Sequence, residues 1–229
     1  MLKNGIPVIV AALLLGSACK CVPPVQPQSD KSAAVGIEIE LEPPLSIFGG
    51  IPAQTVYFVK VINGELTSKN GFIAATWSNK GRIYIFNADP GEYAAVAAEY
   101  KVTQQSQSNS APVGSNVTVT VTTGGTSVYT TFLPRDAIEA SRVRVEEGKL
   151  AYMGKFTFKM QKGFESADEF QKHYAEQMFP GSTTSSGFFS LKYCGSTRSK
   201  VSQTDGRPMF INGAKDDFGE TLWSKLAVP

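Results

Sequence analysis

The chain has little of what most catalytic and metal centres are built from. One histidine, His173, and three cysteines stand among 229 residues. That is too few for a Cys/His zinc site or a dense disulfide framework. Any Ser/His/Asp or Cys/His mechanism would have to use His173. Lys and Arg number 22 against 20 Asp and Glu, a formal net charge of +2. No concentrated basic surface follows, and nucleic acid is excluded as the expected partner. There is no phosphate loop, no His-Glu-x-x-His and no dinucleotide fingerprint, so no metal or cofactor is expected. The first apolar run, Ile6 to Leu15, is too short for a membrane-crossing helix, which takes about 20 residues. What is present is globular in composition, with 42% hydrophobic and 18% charged residues.

Lys3, the apolar run and the small residues Gly16, Ser17 and Ala18 predict a cleavable signal over residues 1–18. The tetrad Gly16-Ser17-Ala18-Cys19 resembles the lipobox of bacterial lipoproteins, cut before its cysteine. Ser17, Ala18 and Cys19 match the last three places, while Gly16 stands where the family has Leu and Leu15 lies one position early. The resemblance implies lipidation at Cys19, with simple secretion as the alternative. In that family an aspartate after the cysteine retains the protein at the inner membrane. Lys20 stands there instead, which implies an outer-membrane address. Residues 19–34, rich in Pro, Gln and Ser, are expected to form a flexible tether from the lipid.

From Val35 the pattern is mostly of period two and predicts strands. "VGIEIELE" alternates, "TVYFVKVI" is continuously apolar, and Asn63-Gly64 after it signals a hairpin. "GRIYIFNA" and "EYAAVAAEYKV" follow, separated by a Pro90-Gly91 turn. "TQQSQSNSAPVGS" is expected to be a surface loop, "NVTVTVTTGGTSVYTTFL" a hairpin turning at Gly124-Gly125, and "SRVRVEEGKLAYMGKFTFKM" a strand pair turning near Gly148. The expected fold is mainly β: an antiparallel β-sandwich over 35–162, transthyretin-like or Ig-like. An α/β C-terminal extension over 163–229, with two short helices, packs on the same domain. One helix, capped at Ser166, carries a Phe170, Tyr174, Met178 stripe; the other has Phe218, Leu222 and Trp223 as its apolar face.

"IYIFNADPGEYAAVA" resembles the strand-Pro-Gly-x-Tyr-strand element of transthyretin-like, carboxypeptidase-regulatory-like domains. Gly148, Tyr152 and Gly154 in "VRVEEGKLAYMGKFTFK" are similar to a hairpin of uncharacterised bacterial lipoproteins. These resemblances imply a small β-sandwich and no known catalysis.

Few constellations point to chemistry. His173 sits mid-helix beside the stripe and reads as exposed or half-packed. Cys194 reads as a buried free thiol or a partner for Cys21. Asp216, Asp217 and Glu220 are expected to favour a helix N-terminus rather than to flank a glycosidic bond. Lys192, Arg198, Lys200 and Arg207 read as a solvated basic loop. Trp77, Tyr84, Tyr93 and Tyr129 are the candidate ligand face, on which a glycan could stack. The reading is a cell-envelope lipoprotein, held to the membrane by its N-terminal lipid. Its role would be non-enzymatic, binding a protein or glycan partner. The alternative is a hydrolase of envelope polymers acting through carboxylates.

Overall fold

The computed structural model describes residue 23 and residues 25–44, 49–68, 71–114, 117–181 and 190–228. The expected signal, Cys19 and Cys21 lie outside the described residues. In chain order the strands are β1 (Ala33–Glu42), β2 (Ile51–Pro52), β3 (Thr55–Ile62), β4 (Glu65–Thr67), β5 (Ile73–Ala74) and β6 (Trp77–Asn79). Then come β7 (Arg82–Ala88), β8 (Gly91–Gly114), β9 (Val117–Phe132), β10 (Val143–Val145), β11 (Leu150–Lys162) and β12 (Ser190–Val201). Helix α1 (Arg135–Ala140) lies between β9 and β10, α2 (Glu169–Met178) between β11 and β12, and α3 (Gln203–Phe218) after β12. A short 3-10 helix, Leu222–Leu226, follows α3.

The chain is mainly β, but the expected antiparallel sandwich is replaced by one mixed sheet of order β4-β3-β8-β9-β12-β11-β1-β7-β6. β1 runs parallel to β11, and β12 runs parallel to β9. Parallel neighbours need long crossovers, and each pair here joins strands far apart in sequence. The sheet also bends back on itself. Ala75 N–H donates to the Val56 carbonyl and Thr76 N–H to the Tyr84 carbonyl, each at 2.8 Å, so Ile73–Asn79 bridges β3 to β7.

Alternation along the strands sorts their side chains into two cores. Val35, Ile37 and Ile39 of β1, Ile83 and Ile85 of β7, and Met153 of β11 point into the main core, which the bent sheet shares with α1 and α2. The opposite faces of the same strands present Ala34, Tyr84, Phe86 and Tyr152 to α3 and the 3-10 helix. β8 is buried from Tyr93 to Ala98 because it is covered on both faces.

Several local expectations hold. Asn63 and Gly64 take φ of 54° and 81°, the double positive φ of a two-residue β3–β4 hairpin. Tyr174 of the α2 stripe is buried, with Phe170 and Met178 packed beside it. The α2 cap is Asp168 rather than Ser166, because Asp168 and Gln171 form a reciprocal capping box.

Other expectations fail for physical reasons. "TQQSQSNSAPVGS" is no loop: its residues to Gly114 pair in register with β9, and Gly124-Gly125 lies within β9 opposite Gln104. Uncharged Ser, Thr, Gln and Asn satisfy a strand ladder when a Val/Thr partner runs alongside. β10 and β11 do not pair with each other; β10 adds to β8. The tether is docked from Val25 onward. Asn87 donates to the Gln26 carbonyl and accepts from Gln28 N–H, and Gly148 N–H donates to the Lys31 carbonyl.

Candidate functional site

The four aromatic residues of the expected ligand face are separated by strand alternation. Trp77 stacks on Tyr84 at 5.6 Å, and Tyr84 is itself sealed under α3 against Phe86, Phe210 and Phe218. Tyr129 stacks on Tyr100 at 4.6 Å and lies near Tyr193, as part of the main core. Tyr93 is buried, and its hydroxyl donates to the Asp89 carbonyl at 2.9 Å. Only Trp77 and Tyr84 come together, and Tyr84 offers no surface. The four therefore form no common stacking platform.

The acids near the C-terminus do not cap a helix start. Asp216 and Asp217 occupy the last turn of α3, the end that disfavours negative charge. Asp217 is 1% exposed and lies over β7. Its carboxylate accepts from Arg82 Nε at 2.6 Å and Nη2 at 2.7 Å, from Tyr84 Oη at 2.7 Å and from Asn79 Nδ2 at 2.8 Å. Four donors saturate the group, as a buried carboxylate requires. Burial, then the Asp217 charge, pushes the Tyr84 phenol well above its ordinary value. Asp216 and Glu220 face solvent. Leu222 is exposed as well, whereas Trp223 is buried, so the expected Phe218, Leu222, Trp223 face is broken by the 3-10 turn.

A second buried carboxylate sits on β8. Glu99 is 6% exposed and accepts from Thr130 Oγ1 at 2.7 Å and Tyr57 Oη at 3.1 Å. Burial, then the charge of Glu99, raises the Tyr57 phenol to about 12.

Acidic and basic groups and the single histidine converge on open space in a cleft between α1, α2 and the β3–β4 turn. Its volume is about 520 Å³, and its walls include Glu65, Arg135, Glu139, Arg142, Glu169 and His173. Arg142 is ion-paired with Glu139: Nη2 donates to Oε1 at 3.0 Å, and Nε lies 2.7 Å from Oε2 without hydrogen-bond alignment. Its Nη1 also donates to the Gly64 carbonyl at 3.0 Å, which fastens the turn to α1. Arg135 lies over the Phe170 ring at 4.9 Å. His173 is exposed on α2 and meets the Tyr174 ring edge-on at 5.2 Å. Such a cleft can bind a ligand carrying both signs of charge.

Cys194 does not line that cleft. Its thiol is free, buried, and donates to the Gly163 carbonyl at 3.2 Å. Burial, then the nearby Asp168 charge, raises it to about 12, so it is a neutral and unreactive thiol at physiological pH. The expected basic loop is dispersed. Lys192, Arg198 and Lys200 lie on β12 and Arg207 on α3. Lys192 sits over the Phe179 ring, and Arg207 donates to the Leu150 carbonyl. Among the described residues no group of His, Cys, Asp and Glu has metal-binding geometry.

Sequence reading missed the Arg82–Asp217 pair, the Glu99 site and the cleft. The first two have no local signal, because their partners are 135 and 42 or 31 residues apart. For the cleft a signal existed: Pro134 followed by Arg135 and Asp136 is a helix-start pattern, and it marks α1. Comparison with protein-family models, with curated proteins and with solved structures finds no match for this chain.

Proposed function

We propose that the protein is a lipid-anchored cell-envelope protein that acts by binding rather than by catalysis. The observation that carries the reading is how the chain enters the domain. The lipobox-like Gly16-Cys19 tetrad is followed within a few residues by a segment fixed to the body. Trp223 Nε1 donates to the Val25 carbonyl at 2.6 Å, and the Asn87 amide bonds to Gln26 and Gln28. A lipid on Cys19 would therefore hold the domain close to the bilayer with the 3-10 helix nearby, in place of a long swinging tether. Its ligand would be a protein or glycan of the envelope. Replacing Cys19 by Ser tests this. Palmitate labelling and membrane co-fractionation should both be lost, and undiminished labelling overturns the lipid assignment at Cys19.

A second reading, hydrolysis of an envelope polymer, is favoured by the gathering of Glu65, Glu139, Glu169 and His173 in one cleft. Release of soluble fragments from purified peptidoglycan, abolished by Glu169→Gln, would support it. No release by the unaltered protein would remove it.

A further inference from the structure

Beyond the point where its neighbours end, the β8–β9 pair runs on as a two-stranded ribbon. Among the described residues, β3 pairs with β8 as far as Glu99, and β12 pairs with β9 from Val128 to Phe132. From Lys101 opposite Val128 out to Gly114 opposite Val117, the ladder among the described residues joins the two strands to each other. About a dozen residues per strand at about 3.3 Å each make an arm of roughly 40 Å. No charged residue stands between Lys101 and Arg135.

The two long edges of this arm are not alike. Exposed sheet edges are ordinarily guarded by charge, proline or bulges. β8 carries Pro112 and both irregularities of the ladder, at Gln104–Gln107 and Pro112–Gly114, each with an extra residue on its own side. β9 from Val117 to Thr123 has no charge, no proline and no bulge. Its sequence, Val117-Thr118-Val119-Thr120-Val121-Thr122-Thr123, nearly repeats itself when reversed. Laid antiparallel on itself about Thr120, it sets Val119 opposite Val121 and Thr118 opposite Thr122. Like pairs of β-branched residues are favourable cross-strand neighbours. A strand that matches its own reverse is what a two-fold, self-complementary interface needs.

We propose that the outer edge of β9 over Val117–Thr123 is an interaction surface for a second copy of this chain. The two edges add antiparallel about Thr120 and join two ribbons into a four-stranded sheet. A bilayer is the less fitting occupant. Membrane strands alternate apolar and polar residues over about 9–11 positions, whereas β8 is polar at every position from Gln104 to Ser110. The inference does not depend on the lipid anchor.

The test uses the full chain carrying Cys19→Ser, in mild detergent, by sedimentation velocity. The expected particle has twice the chain mass. Thr120→Lys and Thr120→Glu should each give the single-chain mass, because like charges then face each other across the two-fold axis. Mixing the two variants should restore the doubled mass. Both should keep the parent thermal midpoint, since Thr120 stands on the ribbon well beyond the stretches of β8 and β9 that pair with β3 and β12. A single-chain mass for the parent, a doubled mass unaffected by Thr120→Lys, or a polydisperse aggregate in place of a defined dimer overturns the proposal. So does a monomeric parent that floats with vesicles through the ribbon.

Discussion

Arg82 and Asp217 meet across 135 residues of chain, β7 to the end of α3, with both guanidinium contacts under 2.8 Å. Asp217 is fully covered, and the Arg82 side chain is only 14% exposed. Breaking such a pair strands a charge in the interior, which costs about 3–5 kcal/mol. Asp217→Ala should therefore lower stability by about that amount in urea unfolding. The double variant Arg82→Met with Asp217→Leu should lose less than either single change. A double variant as unstable as the sum of the singles would show that the pair carries no mutual dependence.

Trp223 should anchor the C-terminus and the N-terminal segment together. It is 1% exposed, packs 4.5 Å from the Phe86 ring and donates to Val25. Trp223→Ala is expected to cost about 3–5 kcal/mol. It should also open residues 25–32 to limited proteolysis ahead of the rest of the domain. Trp223→Phe, which keeps a smaller aromatic ring and loses the donor, should free the segment with a smaller loss of thermal stability.

Alkaline pH should unfold the protein through its buried phenols and its thiol. Burial is the largest cause in raising Tyr57, Tyr100, Tyr174 and Cys194 to about 12. Unfolded values are about 10 for tyrosine and about 8.5 for cysteine, so the folded chain keeps protons that the unfolded chain releases. The stability linked to these groups is therefore full below about pH 8 and falls as pH rises towards 12. Tyrosinate absorbance at 295 nm should rise in step with loss of the near-ultraviolet dichroism. Phenols that titrate near 10 with dichroism intact would contradict their burial.

Gly36 leaves room for Phe210. A Cβ at Gly36 would stand 2.2 Å from Phe210 Cζ and 2.6 Å from Cε1, and Phe210 also stacks on Tyr152 at 4.3 Å. Gly36→Ala should cost about 1–3 kcal/mol by overpacking. Phe210→Leu in the same chain should recover part of that loss, and no recovery would place the strain elsewhere.

Thiol chemistry gives a direct check on Cys194. It should resist a thiol-specific reagent in the folded chain and react at once in denaturant. Rapid reaction under native conditions would contradict its seat behind Gly163.

Local patterns in the sequence carried much of the sheet. β1, β3 and β7 were legible because alternation or a continuous apolar run is itself the signal of a half-buried or covered strand. The β3–β4 turn was legible because Asn63-Gly64 supplies two positive φ values. The parallel joins of β1 to β11 and β9 to β12 were not, since no local residue specifies which distant edge a strand will choose. Asp217 misled for a related reason. In "KDDFGE" it looks like one more surface acid, and only its partners on β6 and β7 make it an interior one. Among the four aromatic candidates, the residue types said nothing of which face of the bent sheet each would occupy.

β12 lies in the middle of the sheet, between β9 and β11, yet it is made from residues 190–201 of a 229-residue chain. Until that stretch is available, β9 and β11 are open edges and the ring of strands has a gap. Trp223, which clasps Val25, comes later still. A chain emerging N-terminus first, from a ribosome or through a membrane pore, thus cannot complete its fold in stages. Its contacts are long in sequence, which slows folding, and the order of arrival keeps the body unlocked until β12 and Trp223 have been made. For the body of this sheet, folding has to wait for synthesis and cannot keep pace with it.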